Sequence, residues 1–212
     1  DPADATAIEQ NTAPKLKTSD VETVTIKGDT AQPSTIDLSE ISMDASSATT
    51  TLKFTSGKKP ITVTKTNADI NVIDASGLGE GGSLIQSNGT NAGARSRTDS
   101  ATYTGSDGSD TLIMANKDDV IDAGTQPSGA NGDTLVVAGT LVIGGIEVDL
   151  SKTDDQVTTW NGTANTAIQK GFESVDLSNM TSNSEGAVIT ANKVGSTITG
   201  LTSGTNYITG GA

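Results

Sequence analysis

A nine-residue glycine-aspartate pattern constrains this chain more than any other feature of its sequence. Residues Gly105–Ile113 read GSDGSDTLI and follow the repeat G-G-x-G-x-D-x-U-x, where U is a large apolar residue. The next nine residues, Met114–Asp122, keep the same register, since Asp119 follows Asp110 by nine positions. Two consecutive copies in one register predict stacked half-coils, in which glycines shape each turn and one apolar residue per copy points inward.

A third copy of the pattern, Gly129–Leu135, follows an insertion that contains Pro127. Because each nonapeptide is half a coil, alternate copies lie on the same side. We therefore expect the turn of Asp110 to stack on the turn of Asp133. The predicted fold is all-β: an elongated right-handed parallel β-solenoid, or calcium β-roll, with loop excursions.

The same pattern predicts a calcium site. Ca²⁺ takes six to eight oxygen ligands at roughly 2.3–2.6 Å, which a short loop supplies by combining carboxylates with its own carbonyls. One ion is expected between the two stacked turns. Its predicted ligands are Gly105, Asp107, Gly108, Asp110, Asn131 and Asp133. The alternative is that the Asp-Gly and Asn-Gly pairs are ordinary turn formers.

The opposite turn of the coil carries Asp118 and Asp119. There the residues Ala115–Lys117 stand where the pattern has glycines, so the turn lacks the flexible backbone of a full calcium loop. We predict a weaker second calcium site at Asp118 or Asp119.

Net charge excludes one large class of partner. The chain carries 26 Asp and Glu against 13 Lys and Arg, a net charge of −13, whereas nucleic-acid binding requires basic surfaces. No nucleic-acid partner is predicted, and the acidic surface suits divalent cations. Aromatic residues make up only 2% of the chain, which favours the narrow interior of a solenoid over a compact sandwich.

Catalytic chemistry has little support in the sequence. The chain has no Cys and no His, which excludes disulfides, thiolate chemistry and histidine acid–base catalysis. Asp154 and Asp155 are adjacent carboxylates, but neighbours on a strand face opposite sides. We predict that the chain is not an enzyme and has no catalytic residues. No apolar run approaches the roughly 20 residues of a membrane helix, so no transmembrane segment is predicted.

The pattern of residues along the chain divides it into two parts. Residues 1–19 are polar and contain two prolines, which predicts a linker or mobile terminus. Residues 20–212 are predicted to form the solenoid, with the calcium-binding segment at 105–135. One short helix is predicted at Asn161–Gly171, where Ala164, Ala167 and Ile168 share a face. The single tryptophan, Trp160, is predicted to plug an end of the solenoid.

A second motif recurs four times: a β-branched residue, Asp, a small or apolar residue and Ser. Its copies are Ile36–Ser39, Ile73–Ser76, Val148–Ser151 and Val175–Ser178. Two interpretations remain open. One supersecondary unit is reused along the chain, or each copy is a strand that ends at a polar turn.

Several segments together carry a family resemblance. They are Val21–Ile26, Asn67–Ile70, Ile73–Gly77, Gly105–Asp110 and Gly171–Ser178. In this combination the chain resembles the calcium-dependent, RTX-type surface-layer proteins of Gram-negative bacteria and their secreted relatives. The resemblance implies type I secretion, folding outside the cell on meeting calcium, and assembly into a lattice on the bacterial surface.

The ends of the sequence add to this expectation. The chain starts at Asp1 and stops at Gly210–Ala212, which we interpret as a fragment of a longer chain whose other parts contact cell-surface polysaccharide. Two functional classes follow. The first is a structural, self-assembling surface-layer component that binds calcium and its own copies. The second is a calcium-dependent ligand-binding module of a secreted RTX adhesin or of a secreted polysaccharide-active enzyme.

Overall fold

The structure is a computed structural model of the 212-residue chain. It describes residues 18–29, 31–38, 41–43, 50–65, 70–86, 100–125, 132–182 and 184–211. Within these residues the protein is all-β and contains no helix.

Twenty strands make up the described part of the chain. They are β1 (Thr18–Val21), β2 (Thr23–Lys27), β3 (Ser34–Asp37), β4 (Ile41–Met43), β5 (Thr51–Thr55), β6 (Ile61–Lys65), β7 (Val72–Gly77), β8 (Leu84–Gln86), β9 (Thr102–Thr104), β10 (Thr111–Met114), β11 (Val120–Asp122), β12 (Thr134–Leu141), β13 (Ile146–Asp149), β14 (Val157–Trp160), β15 (Thr163–Ala164), β16 (Gln169–Lys170), β17 (Ser174–Ser182), β18 (Ala187–Thr190), β19 (Ile198–Thr199) and β20 (Asn206–Thr209). Most are short and rich in Val, Ile and Thr, the residues that favour a pleated, half-buried surface.

The chain alternates between two parallel sheets. Sheet I has six strands in the order β2-β5-β7-β9-β11-β16, and sheet II has seven in the order β3-β6-β8-β10-β12-β17-β19. Each strand of sheet I is followed along the chain by a strand of sheet II, as in β2 to β3 and β16 to β17. This alternation is compatible with a β-solenoid or β-roll.

A third sheet begins about two thirds of the way along the chain, at Ile146. Sheet III has the order β15-β14-β13-β18-β20, and the chain enters it after β12, β17 and β19, which are strands of sheet II. Strands β13, β18 and β20 are parallel to one another, whereas β14 and β15 pair antiparallel. The later turns of the chain therefore have a strand position that the earlier ones lack.

The nonapeptide register appears directly in the strand pairing. Thr102 of β9 lies beside Val120 of β11, 18 residues later, so two nonapeptides make one full turn of the chain. On the other sheet, Thr111 of β10 lies beside Thr134 of β12. The expected stacking of the first and third copies on one side is confirmed.

The core consists of columns of in-register apolar side chains. Leu52, Ile73, Tyr103 and Ile121 occupy matching positions on four neighbouring strands of sheet I and are at most 1% exposed. Such a core grows by one layer per turn and needs few aromatic residues. A second, smaller cluster of Ile113, Val136 and Ala138 is buried separately from the main core.

The predicted helix at Asn161–Gly171 is wrong. These residues form β15 and β16 instead, and Asn161 and Gly162 have positive φ angles of 51° and 67°. A two-residue Asn-Gly loop with both φ angles positive is the preferred turn of a β-hairpin, here between β14 and β15. That local signal outweighs the apolar periodicity, which covered only three small or aliphatic side chains.

Trp160 ends β14 and belongs to the main core, where it is only 7% exposed. Its ring packs over Gly139 of β12, where an added Cβ would stand 3.0 Å from Cζ2 of the indole. The hairpin that carries Trp160 therefore docks on the stack through this one large side chain.

The repeated Asp-Ser motif makes the same local hydrogen bond in three of its copies. In the copies at Asp74, Asp149 and Asp176, a carboxylate oxygen accepts the backbone N–H of the Ser two residues later, at 3.0, 3.0 and 2.8 Å. These copies lie in sheets I, III and II respectively. Asp149 ends β13, whereas Asp74 and Asp176 lie within β7 and β17, next to register shifts in the pairing of those strands. The motif therefore recurs as one local hydrogen bond in three different sheets; Ser39 of the fourth copy lies outside the described residues.

Candidate metal-binding loop

The glycines of the first nonapeptide are required by close backbone packing. A Cβ on Gly105 would stand 2.1 Å from the carbonyl oxygen of Ala123, and one on Gly108 would stand 2.0 Å from that of Gly82. Both distances are far below contact for any side chain. The turn therefore lies directly against neighbouring turns of the chain, and glycine is needed here to make room.

Asp110 immediately precedes β10 of sheet II and is buried, with 1% of its surface exposed. Its carboxylate accepts the backbone N–H groups of Leu84 and Ser106, the latter at 2.7 Å, and also the hydroxyl of Ser106 at 2.9 Å. Burial raises the pKa of Asp110 to about 6, since these donors, which favour the charged form, offset only part of the desolvation.

Asp133 stands at the equivalent position one turn later, immediately before β12. Its Oδ1 accepts the backbone N–H of Asp110 at 2.7 Å, and its own N–H donates to Oε2 of Glu173 at 2.8 Å. Glu173 in turn immediately precedes β17. The three acidic residues therefore occupy one column along the edge of sheet II, and each accepts the N–H of the residue before it in the column.

Asp119 repeats this arrangement immediately before β11 of sheet I and is fully buried. Its Oδ1 accepts the N–H of Ala101 on the preceding turn at 2.7 Å, while Oδ2 accepts those of Ala115 and Asn116 at 3.0 and 2.9 Å. The nine-residue spacing of Asp110 and Asp119 thus places the same carboxylate contact at both edges of the stack.

The other two acidic candidates face outward. Asp107 is exposed and accepts the hydroxyl of Thr125, and Asp118 is exposed and pairs with Lys117. Asn131 lies outside the described residues. Of the predicted ligand set, the structure therefore brings together Gly105, Gly108, Asp110 and Asp133, and it places Asp107 at the surface of the same turn.

The geometry of the buried carboxylates bears on calcium. A carboxylate has about four lone-pair directions; three N–H donors occupy those of Asp119, and two N–H groups and a hydroxyl occupy those of Asp110. As placed, these two residues present little free carboxylate to a cation. Among the described residues, no three of His, Cys, Asp or Glu cluster in a way that could hold a metal ion. Calcium binding stays a prediction.

Sequence reasoning missed Glu173 as part of this edge. The available signal was its place directly before a sheet II strand, as Asp110 precedes β10 and Asp133 precedes β12. It also missed Gln156, which is buried, accepts the N–H of Phe172 and donates to the same residue's carbonyl oxygen at 2.7 Å. Buried Gln residues complete the backbone pairing where regular strands stop.

Comparison of this chain with protein-family models, with curated proteins and with solved structures gives no match. The described part contains no apolar helix of the length needed to span a membrane. The parallel sheets and the acidic residues that precede their strands define an all-β protein of stacked parallel strands, with buried carboxylates at the strand starts.

Proposed function

We propose that this chain is a structural, self-assembling module of a bacterial surface layer, built as a parallel β-solenoid. The observation that supports the proposal is the outer edge of sheet III, which has no partner strand among the described residues. Strand β20 pairs with β18 on one side, and all four of its residues are exposed. An unpaired strand edge of this kind is a template for another strand.

The apolar core reaches solvent at this end. Val148 and Ile189 lie side by side in sheet III and are 2% and 0% exposed, whereas Ile208 continues their column and is 55% exposed. Tyr207 beside it is 64% exposed. The next layer of a stack would bury Ile208, which at about 25 cal/mol per Å² of apolar surface favours association. Tyr207 lies on the opposite face, like its neighbour Val188, which is 43% exposed although β20 covers it.

The edge also lacks the features by which proteins prevent strand addition. Natural edges carry Lys, Pro or a bulge, whereas β20 reads Asn-Tyr-Ile-Thr and pairs with β18 in an unbroken register. In a chain of net charge −13, this uncharged strand is also a place where two copies approach with little repulsion.

We propose a second copy as the occupant of this end; a following turn of a longer parent chain is the other occupant that would cover the same strand. Parallel addition of strand to strand is head-to-tail, and a head-to-tail contact that does not close produces extended assemblies. A lattice on the outside of a bacterial cell, reached by secretion, is the setting that the family resemblance implies. The alternative function is a ligand-binding module of a secreted adhesin or polysaccharide-active enzyme.

Electron microscopy and light scattering of the purified chain test the proposal. Samples are compared with calcium, with magnesium and with chelator, because the sequence predicts that calcium promotes the lattice and that magnesium, which holds its water and demands octahedral geometry, does so poorly. Ordered arrays support the assembly function. A chain that stays monomeric in all three conditions, yet binds a glycan saturably, would favour the adhesin or enzyme module.

A further inference from the structure

The acidic side chains at the strand starts accept backbone N–H groups that, in a regular sheet, donate to backbone carbonyl oxygens. In a parallel sheet each N–H at a strand start needs an acceptor on the neighbouring strand. Here the N–H groups of Leu84, Asp110 and Asp133 donate to the carboxylates of Asp110, Asp133 and Glu173. Each carboxylate reaches back by one turn of the stack.

Backbone pairing between the same strands runs in the opposite direction. The N–H of Thr134 donates to the carbonyl oxygen of Asp110 at 2.9 Å, and the N–H of Ser174 donates to that of Asp133 at 2.9 Å. Consecutive strands of sheet II are therefore joined at their starts both by a main-chain bond and by a carboxylate bond. The two bonds together fix the spacing and the register of the turns.

Sheet I has the same arrangement. The N–H of Val120 donates to the carbonyl oxygen of Ala101 at 2.9 Å, while the N–H of Ala101 donates to the carboxylate of Asp119 at 2.7 Å. Asp110 and Asp119 take the aspartate position of successive nonapeptides. The repetition on two sheets shows that the contact belongs to the motif and not to one turn.

We propose that Asp110, Asp119, Asp133 and Glu173 are clamps that join successive turns of this chain without a metal ion. In this protein the glycine-aspartate pattern secures the fold through carboxylate-to-backbone bonds, and the chain folds in the absence of calcium. Each bond gives an acceptor to a backbone N–H at a strand start, and a buried N–H left without an acceptor costs the free energy of its desolvation. The inference concerns folding of the single chain and is independent of the assembly proposed above.

The test uses the full 212-residue chain at a concentration where it is monomeric. Circular dichroism and urea unfolding are recorded in chelator and again in calcium. We expect the same β-spectrum in both conditions and urea midpoints that agree within error. A chain that is unfolded in chelator and folds on addition of calcium overturns the proposal.

Matched substitutions separate the clamps from exposed acidic residues. Asp110→Ala and Asp119→Ala each remove a buried acceptor, and we expect the urea midpoint in chelator to fall by about 1 M. Asp107→Ala and Asp118→Ala make the same chemical change in the same two turns, but at exposed side chains, and should leave the midpoint nearly unchanged. Equal effects of the buried and exposed variants contradict the proposal.

Amide hydrogen exchange gives a local readout that survives even if a variant is only marginally folded. In chelator, the amides of Leu84 and Ala101 should be protected in the parent chain. Asp110→Ala, which removes the acceptor, should speed exchange at Leu84 and leave Ala101 protected, whereas Asp119→Ala should do the reverse. If neither amide responds to its own clamp, the carboxylates do not hold these strands and the proposal is overturned.

Discussion

The backbone N–H of Asp110 donates to Oδ1 of Asp133 at 2.7 Å, although 23 residues separate the two aspartates along the chain. Both are at most 1% exposed. An aspartate buried so deeply is costly unless its oxygens accept hydrogen bonds. The contact explains why acidic residues recur at the strand starts of an all-β protein.

The stability of the chain should depend on pH through Asp110. Its pKa of about 6 in the folded protein lies above the value of about 3.9 for an unfolded aspartate. The folded state therefore holds the proton more tightly, so this contribution to stability is full below pH 4 and is lost as pH rises to 6. Its size is on the order of 3 kcal/mol.

The measurement is the free energy of unfolding in urea between pH 4 and pH 7 for the parent chain and for Asp110→Asn. The free energy of unfolding of the parent minus that of Asp110→Asn should fall as pH rises across this window, because only the parent titrates at this position. The nearby charge of Asp107 also raises the pKa of Asp110, so Asp107→Asn serves as the control for a neighbouring charge. A difference that is independent of pH contradicts the raised pKa.

Gly105→Ala should destabilise the chain strongly. The new Cβ would lie 2.1 Å from the carbonyl oxygen of Ala123, so the two turns must move apart. Overpacking of this kind costs about 1–3 kcal/mol or more. Gly210→Ala is the matched control, because no atom lies within 4 Å of the new Cβ there. Urea unfolding of both variants checks the prediction, and equal stabilities would show that the turns are not in contact.

Trp160→Ala should cost about 3–5 kcal/mol, because it removes the largest side chain that joins the β14–β15 hairpin to the main core. Tyr207→Ala removes an aromatic side chain that is 64% exposed and should change stability by about 0.5 kcal/mol or less. Thermal unfolding of the two variants is the measurement. A small effect of Trp160→Ala would mean that the hairpin does not depend on this contact.

Assembly should be blocked by a charge on the open edge. Ile208→Lys places a cation in the exposed end of the core column, so strand addition there would bury an unpaired charge. The monomer should keep its stability and lose its arrays in electron microscopy. Ile143→Lys adds the same charge at a turn residue that is 68% exposed and should assemble like the parent chain. Normal arrays from Ile208→Lys would exclude β20 as the contact.

The fold class was predictable because the relevant signals are local. A nine-residue repeat, short β-branched runs and glycines at fixed positions identify parallel stacked strands without knowledge of distant contacts. The predicted helix failed because a weak apolar period was given more weight than the Asn161-Gly162 turn signal. Many residues along the chain supported the prediction of parallel strands, whereas three side chains supported the prediction of a helix.

The roles of the acidic residues were only partly predictable. Their spacing brought Asp110 and Asp133 to one edge, as expected, but nothing in the spacing tells whether a buried carboxylate faces a cation or a backbone N–H. Glu173 joins the same column from 40 residues beyond Asp133. The insertion between them, with its hairpin and third sheet, breaks the period by which a sequence pattern is recognised.

The sequence by itself determined the strand composition, the 18-residue turn, the acidic surface and the glycine positions, because each depends on residues close together in the chain. The tertiary structure decided the third sheet, the position of Trp160, the exposed end at Ile208 and the partners of the buried carboxylates. These depend on which turn lies beside which. The hydrogen bond that a buried group makes is chosen by its neighbours in space, and loops of unequal length separate those neighbours along the chain.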